Sequence, residues 1–355
     1  MTLTPLIFDG HNDVLLRLLR DPDNRETTWL TDTGQGHLDL PRMVRGGFGG
    51  GFFAIYIPSP DLPVDLDRDM ETPPYNLPLP PMIDVSEAQP IALAMAGHLQ
   101  WMERSSNGRF KICRTVAEIR TCLASGVIAA IMHLEGAEAI GPDLDALSLY
   151  HDMGLRSLGP VWSRPTAFGH GVPFAYPSSP DTGPGLTDAG KDLVRLCNSM
   201  GIMLDLSHLN EAGFDDIASL SDAPLVATHS NAHAVTPSSR NLTDRQLAMI
   251  RDSDGMVGVN FAVGFLNPDG KRADDRGFDA ILRHLDYLIE HLGEDRVGLG
   301  SDFDGALIPK VIKDVAGLPD LRSALSHHGY GTDLMTKLCH QNWLDLLDRT
   351  WKPRG

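Results

Sequence analysis

The chain has 355 residues, 42% hydrophobic and 22% charged, a composition that supports a sizeable buried core and excludes wholesale disorder. A formal net charge of -17 disfavours phosphate backbones and anionic lipid, so neither nucleic acid nor a membrane surface is an expected partner; cations and neutral small molecules remain. Met1 to Gly10 carries neither the basic nor the apolar region of a secretory signal, and no run reaches the roughly 18 apolar residues of a membrane span, so a cytoplasmic protein is expected.

In chain order, short apolar or β-branched runs alternate with segments of helical period, the pattern of a parallel sheet with crossover helices. The strand-like runs cover 5–8, 49–57, 127–134, 155–161, 202–206, 225–228, 256–261 and 297–300. Eight such runs close a barrel, so the expected fold is α/β, a TIM-type (β/α)8 barrel in a single domain spanning 1–355. Helices are expected over 85–104, 116–124, 144–153, 187–200, 211–220, 243–253 and 277–291, with a C-terminal helical extension over 332–349. Thr187 reads as a helix cap, and Thr243 with Gln246 three residues on fits a capping box. Cys113, Cys122, Cys197 and Cys339 show no CxxC spacing; they read as small core residues, not a disulfide framework or a thiolate zinc site. The long segment 58–84 follows the second strand and is expected to emerge on the catalytic face as a lid or substrate-shaping loop, with 163–184 hanging over the same mouth.

Ligand-type residues cluster just past strand ends, where such a barrel builds its active site. The first strand leads into Asp9-Gly10-His11-Asn12-Asp13, the third into His133-Leu134-Glu135, the fifth into Asp205-Leu206-Ser207-His208, the sixth into Thr228-His229-Ser230 and the eighth into Ser301-Asp302-Phe303-Asp304. His11 and Asp13, two apart, can hold one ion, and His208 and His229 a second. Glu135 is placed to bridge both. Imidazole and carboxylate donors without thiolate suit zinc, and would also take manganese, cobalt or iron. Asp302 can serve as a general base or as a partner of a histidine, with Asp304 ranked behind it; Arg240 can pair with a substrate carboxylate. His98, His151, His284, His291, His327, His328 and His340 read as residues of solvated faces.

At these residues the chain resembles the membrane dipeptidase (renal dipeptidase) family of binuclear zinc peptidases, through Asp9-Gly10-His11-Asn12-Asp13, Leu134-Glu135-Gly136, Asp205 to His208, Thr228-His229-Ser230, Ser239-Arg240-Asn241 and Ser301 to Gly305. The resemblance covers nearly the whole chain. It implies two zinc ions, one on His11, Asp13 and Glu135 and the other on Glu135, His208 and His229. It also implies Arg240 as receptor of the substrate's terminal carboxylate, dipeptides as substrates with a D-residue tolerated on the C-terminal side, and a homodimer. Hydrolysis by a hydroxide bridging the ions, with Asp302 as base, is the expected mechanism. One position departs: Trp162 stands where the family commonly has a histidine that contacts substrate, which leaves open whether His170 substitutes. A hydrolase of a lactone, cyclic amide or N-acyl amino acid is the alternative expectation.

Overall fold

A computed structural model describes residues 5–60, 66–273 and 276–352. Eight parallel strands form where the sequence places them: β1 (Ile7–Asn12), β2 (Phe48–Tyr56), β3 (Ile128–Glu135), β4 (Leu155–Gly159), β5 (Met203–Leu204), β6 (Val226–Ala227), β7 (Met256–Asn260) and β8 (Val297–Gly300). They pair in the order β5-β4-β3-β2-β1-β8-β7-β6. A parallel bridge between Asp205 and Val226 joins the two ends. The chain is therefore a (β/α)8 barrel. A further short strand, Phe110–Ile112, pairs with the start of β3 below the point where β4 takes over that edge.

β1 runs four residues beyond its expected end, so His11 lies within the strand and Asp13 stands at the N-cap position of the helix Val14–Arg20, its side chain making no capping hydrogen bond. β5 and β6 are shorter than expected for a specific reason. The Asp205 carboxylate accepts the N–H groups of Ser207 (3.0 Å) and Thr228 (2.9 Å), replacing ladder hydrogen bonds with a side chain.

The expected helices form as Val85–Ser105, Val116–Ser125, Asp145–Met153, Asp188–Met200, Glu211–Leu220, Asp244–Asp252 and Asp279–Leu292. Thr187 accepts from the Gly190 N–H, and Thr243 with Gln246 makes the reciprocal capping box. The C-terminal extension forms as Thr332–Thr336, Lys337–Gln341 and Asn342–Thr350. It plugs the end of the barrel opposite the site. Trp343 is fully buried with Phe8, Phe52, Met203, Val226 and Met256, and its indole N–H donates to the Leu299 carbonyl at 3.2 Å. A Cβ added at Gly10, Gly258 or Gly298 would come within 2.9 Å of that ring, so the three glycines make the space it fills.

Within the expected loop 58–84, residues 61–65 lie outside the described residues. The remainder folds onto the catalytic face: Tyr75–Asn76 pairs antiparallel with Ala175–Tyr176 from the loop after β4. Met70, Tyr75 and Leu77 form an apolar cluster with Ala262 and Phe265 at the end of β7. The two long loops thus build a wall together. Two histidines expected on solvated faces are buried instead, because their helices turn those positions inward. His98 packs inside Val85–Ser105, and His284 accepts from the Ala232 N–H at 3.2 Å and binds the Leu266 carbonyl at 3.1 Å. Among the described residues no helix is long and apolar enough to cross a membrane.

Candidate metal centre

At the carboxyl ends of the strands, His11, Asp13, Glu135, His208 and His229 meet in one buried cluster. The two oxygens of Glu135 divide between two groups of side chains. Oε2 lies 3.6 Å from His11 Nε2, which is also 3.2 Å from Asp13 Oδ2. Oε1 lies 3.1 Å from His208 Nε2 and 3.6 Å from His229 Nε2. His11, Glu135 and His229 place donor atoms within 4.8 Å of one another, and so do His11, Asp13 and Asp302.

Three observations fit divalent metal here. Both ring nitrogens of His11 are buried without a hydrogen-bond partner, a costly arrangement unless a cation accepts one lone pair. The Nε2 atoms of His208 and His229 face each other at 3.0 Å, while their Nδ1 atoms lie 2.8 Å from Ser163 Oγ and 2.9 Å from Thr228 Oγ1. Outer partners of this kind orient an imidazole and direct its other nitrogen to a metal. The charge balance agrees. Burial, with Arg240 adding for His208 and His11 for His229, pushes both imidazoles well below their ordinary range, leaving neutral ligands. Burial raises Glu135 to about 7. Burial would also lower His11, but the carboxylates of Glu135 and Asp13 outweigh it and hold its pKa well above the usual value. The cluster demands positive charge between its carboxylates.

Asp302 sits beside this cluster on the turn after β8. Its Oδ2 accepts from Asn260 Nδ2 at 3.0 Å. Its Oδ1 lies next to Asp13 Oδ2, both within 2.3 Å of where a Cβ at Gly305 would stand, so only glycine lets the two carboxylates converge. Burial pushes the Asp302 carboxyl up. His208, Asp302 and Asp304 all have φ between 61° and 67°, a left-handed backbone uncommon for non-glycine residues. Such strain concentrates at functional sites, and here it re-aims three polar side chains at the mouth. Asp304 is occupied structurally, accepting from Arg17 NH1 at 3.0 Å and the His37 N–H at 2.6 Å, which fastens the 31–39 loop to β8.

Arg240 is buried, within electrostatic reach of Asp302 and Glu135. It donates to the His229 carbonyl at 3.1 Å, stacks over Phe265 at 5.4 Å, and its Nε has no partner. Burial lowers it to about 10, offset in part by Asp302 and Glu135.

The cavity above the cluster holds about 920 Å³ of open space, mouth included. Asp13, Glu135, His208 and Asp302 form its floor, with Tyr56, Met70, Trp162, Phe174 and Phe265 among its walls. Trp162 packs on Tyr56 (5.1 Å between ring centroids), Phe174 (5.6 Å) and His208 (5.7 Å). The loop after β4 contributes Trp162 and Phe174 to the lining of this cavity. Asn260, Ser163, Thr228 and Tyr56 also stand at this site: Asn260 against Asp302, Ser163 and Thr228 against the two histidines, and Tyr56 in the cavity wall. Asn260 carried a usable signal, a polar residue closing the one strand from β5 onward with no ligand-type neighbour.

The family model for membrane dipeptidase, peptidase family M19, matches residues 2–352. The fold superposes with a TM-score of 0.97 on a crystal structure of a metallopeptidase from Rhodobacter sphaeroides bound to a phosphinate mimic of the dipeptide L-Ala-D-Ala; the two are 68% identical over 98% of this chain and 100% of that one. In sequence, the chain is 48% identical over 247 residues to a Klebsiella pneumoniae protein from the pqqA 5' region, covering 70% of this chain and 91% of that protein. It is 27% identical over 344 residues to the dipeptidase tcpJ of Claviceps purpurea, covering 96% and 76%. The barrel, the cluster of histidines and carboxylates at its strand ends and the family match over nearly the whole length agree, and the chain belongs to the membrane dipeptidase family of metallopeptidases, as a hydrolase of dipeptidase type.

Proposed function

We propose that this dipeptidase works with two zinc ions, one held by His11, Asp13 and Glu135 and the other by Glu135, His208 and His229, and that it accepts dipeptides with a C-terminal D-residue. The observation that carries the reading is the split of the Glu135 carboxylate, one oxygen toward His11 and the other toward the histidine pair. The Rhodobacter relative's ligand, a mimic of L-Ala-D-Ala, supports the D-residue. Bound there, the ions supply a water activated at neutral pH and a Lewis acid for the scissile carbonyl.

The chain's own groups do the rest. Asp302, fixed through Oδ2 by Asn260, presents Oδ1 to take the proton of the attacking water and return it to the leaving amine. Tyr56, Trp162, Phe174 and Phe265 keep water from the reacting bond, so the buried charges act at full strength. Arg240 is a buried guanidinium with an N–H to spare, and we assign it to the substrate's terminal carboxylate. A requirement for a free carboxylate at that distance restricts hydrolysis to dipeptides. The reading includes the homodimer and the cytoplasmic setting expected from the sequence.

Replacing Arg240 with alanine is expected to lower kcat/KM on dipeptides with a free carboxylate by about 10- to 100-fold, the value of a charged hydrogen bond of roughly 1.5–3 kcal/mol. Amidated dipeptides, already slow, should change little. Steady-state kinetics on matched free and amidated substrates checks it, and an equal loss on both refutes the assignment. Trp162 in the cavity wall favours a second reading, in which the substrate is a lactone, cyclic amide or N-acyl amino acid. The same substrate panel, extended to those compounds, decides between them.

A further inference from the structure

Directly beneath His229 lies a buried carboxylate that the proposed chemistry does not use. Asp205 is 2% exposed and receives three hydrogen bonds: Oδ1 from the N–H groups of Ser207 and Thr228, and Oδ2 from the Thr228 hydroxyl at 2.5 Å. A threonine hydroxyl has one hydrogen, and a carboxylate can only accept, so that hydrogen is committed to Asp205. The same Oγ1 lies 2.9 Å from His229 Nδ1 and can only accept there. Nδ1 must therefore carry the imidazole's hydrogen, and Nε2 is left as a bare lone pair. It faces Glu135 Oε1 at 3.6 Å and His208 Nε2 at 3.0 Å, so the lone pair points into the cluster of candidate ligands.

We propose that Thr228, oriented by Asp205, is a positioning residue that locks His229 in the Nδ1–H tautomer and so presents Nε2 as a metal ligand. The inference rests on the binuclear reading above and extends it to residues outside the ligand set. With the hydroxyl removed, His229 is free to carry its hydrogen on Nε2, where it donates to Glu135 and blocks the ion. Backbone and side chain cooperate in this design: Asp205 Oδ1 takes the N–H groups of Ser207 and Thr228, just past β5 and β6, while Oδ2 takes the Thr228 hydroxyl, so one carboxylate sets the strand ends and the imidazole tautomer.

The experiment is zinc titration of the metal-free full chain, against a chromophoric chelator, for wild type, T228V and T228S. Second-sphere changes of this kind cost about 10- to 100-fold in metal affinity. One of two zinc ions is expected to weaken by that factor in T228V, and T228S, which keeps the hydroxyl, to stay at the wild-type value. Equal wild-type affinities in folded T228V overturn the inference, and so does T228S as weak as T228V, which points to packing alone. The wild type provides a test that needs no variant: nitrogen-15 NMR of histidine-labelled, metal-free protein at neutral pH should show His229 protonated on Nδ1, and the Nε2–H tautomer overturns the proposal. Wild type that binds no zinc overturns the binuclear reading and this inference with it; two ions with unaltered T228V overturn this inference alone.

Discussion

Exchange of Glu135 for glutamine is expected to lower dipeptide turnover by about 10³-fold or more and to bring bound metal below two ions per chain. The side chain keeps its length and shape, so packing is little disturbed, but only one of its two ends can still accept. In the native site Oε1 faces His208 and His229, and Oε2 faces His11. An amide must turn its NH2 toward one of these groups, replacing a ligand with a donor and a negative charge with none. Lewis-acid stabilisation is worth several kcal/mol, and about 4 kcal/mol is about 10³ in rate. Elemental analysis of the purified variant beside its kcat makes the comparison. A variant retaining two ions and ordinary turnover would remove Glu135 from the bridge.

The second large effect separates proton transfer from metal binding. Asp302→Asn is expected to reduce kcat by about 10²–10⁴-fold, the range of a positioned general base, with metal content and fold unchanged. Asparagine suits this test on two counts. It tolerates the left-handed backbone at φ 61°, so the turn after β8 is not strained further. Its amide oxygen can still accept from Asn260, preserving the contact that orients the group. Full residual activity contradicts the base assignment. Loss of metal along with activity shows instead that Asp302 acts as a ligand, a role open to it because its oxygen joins those of His11 and Asp13 within 4.8 Å.

Much of this was legible before any coordinates. The strand runs were readable because parallel barrel strands are buried on both faces and therefore stand out as apolar stretches. The cluster was readable because the fold places its chemistry just past those stretches, so His11, Asp13, Glu135, His208 and His229 could be grouped by position as candidate ligands. Other features left weaker marks. The helix Val14–Arg20 was missed because it begins at Asp13, immediately against the first strand, with no loop to punctuate it. Thr228, Ser163 and Asn260 act through hydrogen bonds to other side chains, and a hydroxyl or amide beside a motif looks the same whether it holds a ligand or faces water. His284 was misread because helical periodicity gives a face but not which face a neighbouring loop covers; the Ala232 N–H and Leu266 carbonyl that hold it come from distant parts of the chain. Trp162 stands out in the sequence, yet only the folded arrangement shows it packed among Tyr56, Phe174 and His208.

The central claim is that two metal ions, held by five residues, drive dipeptide hydrolysis. The most direct test is a titration of the metal-free protein with zinc while hydrolysis of an L,D-dipeptide is followed. The proposed function predicts no turnover without metal and full activity reached at two ions per chain, reversed by chelator. Activity that is complete without added metal, or that saturates at a single ion, contradicts it.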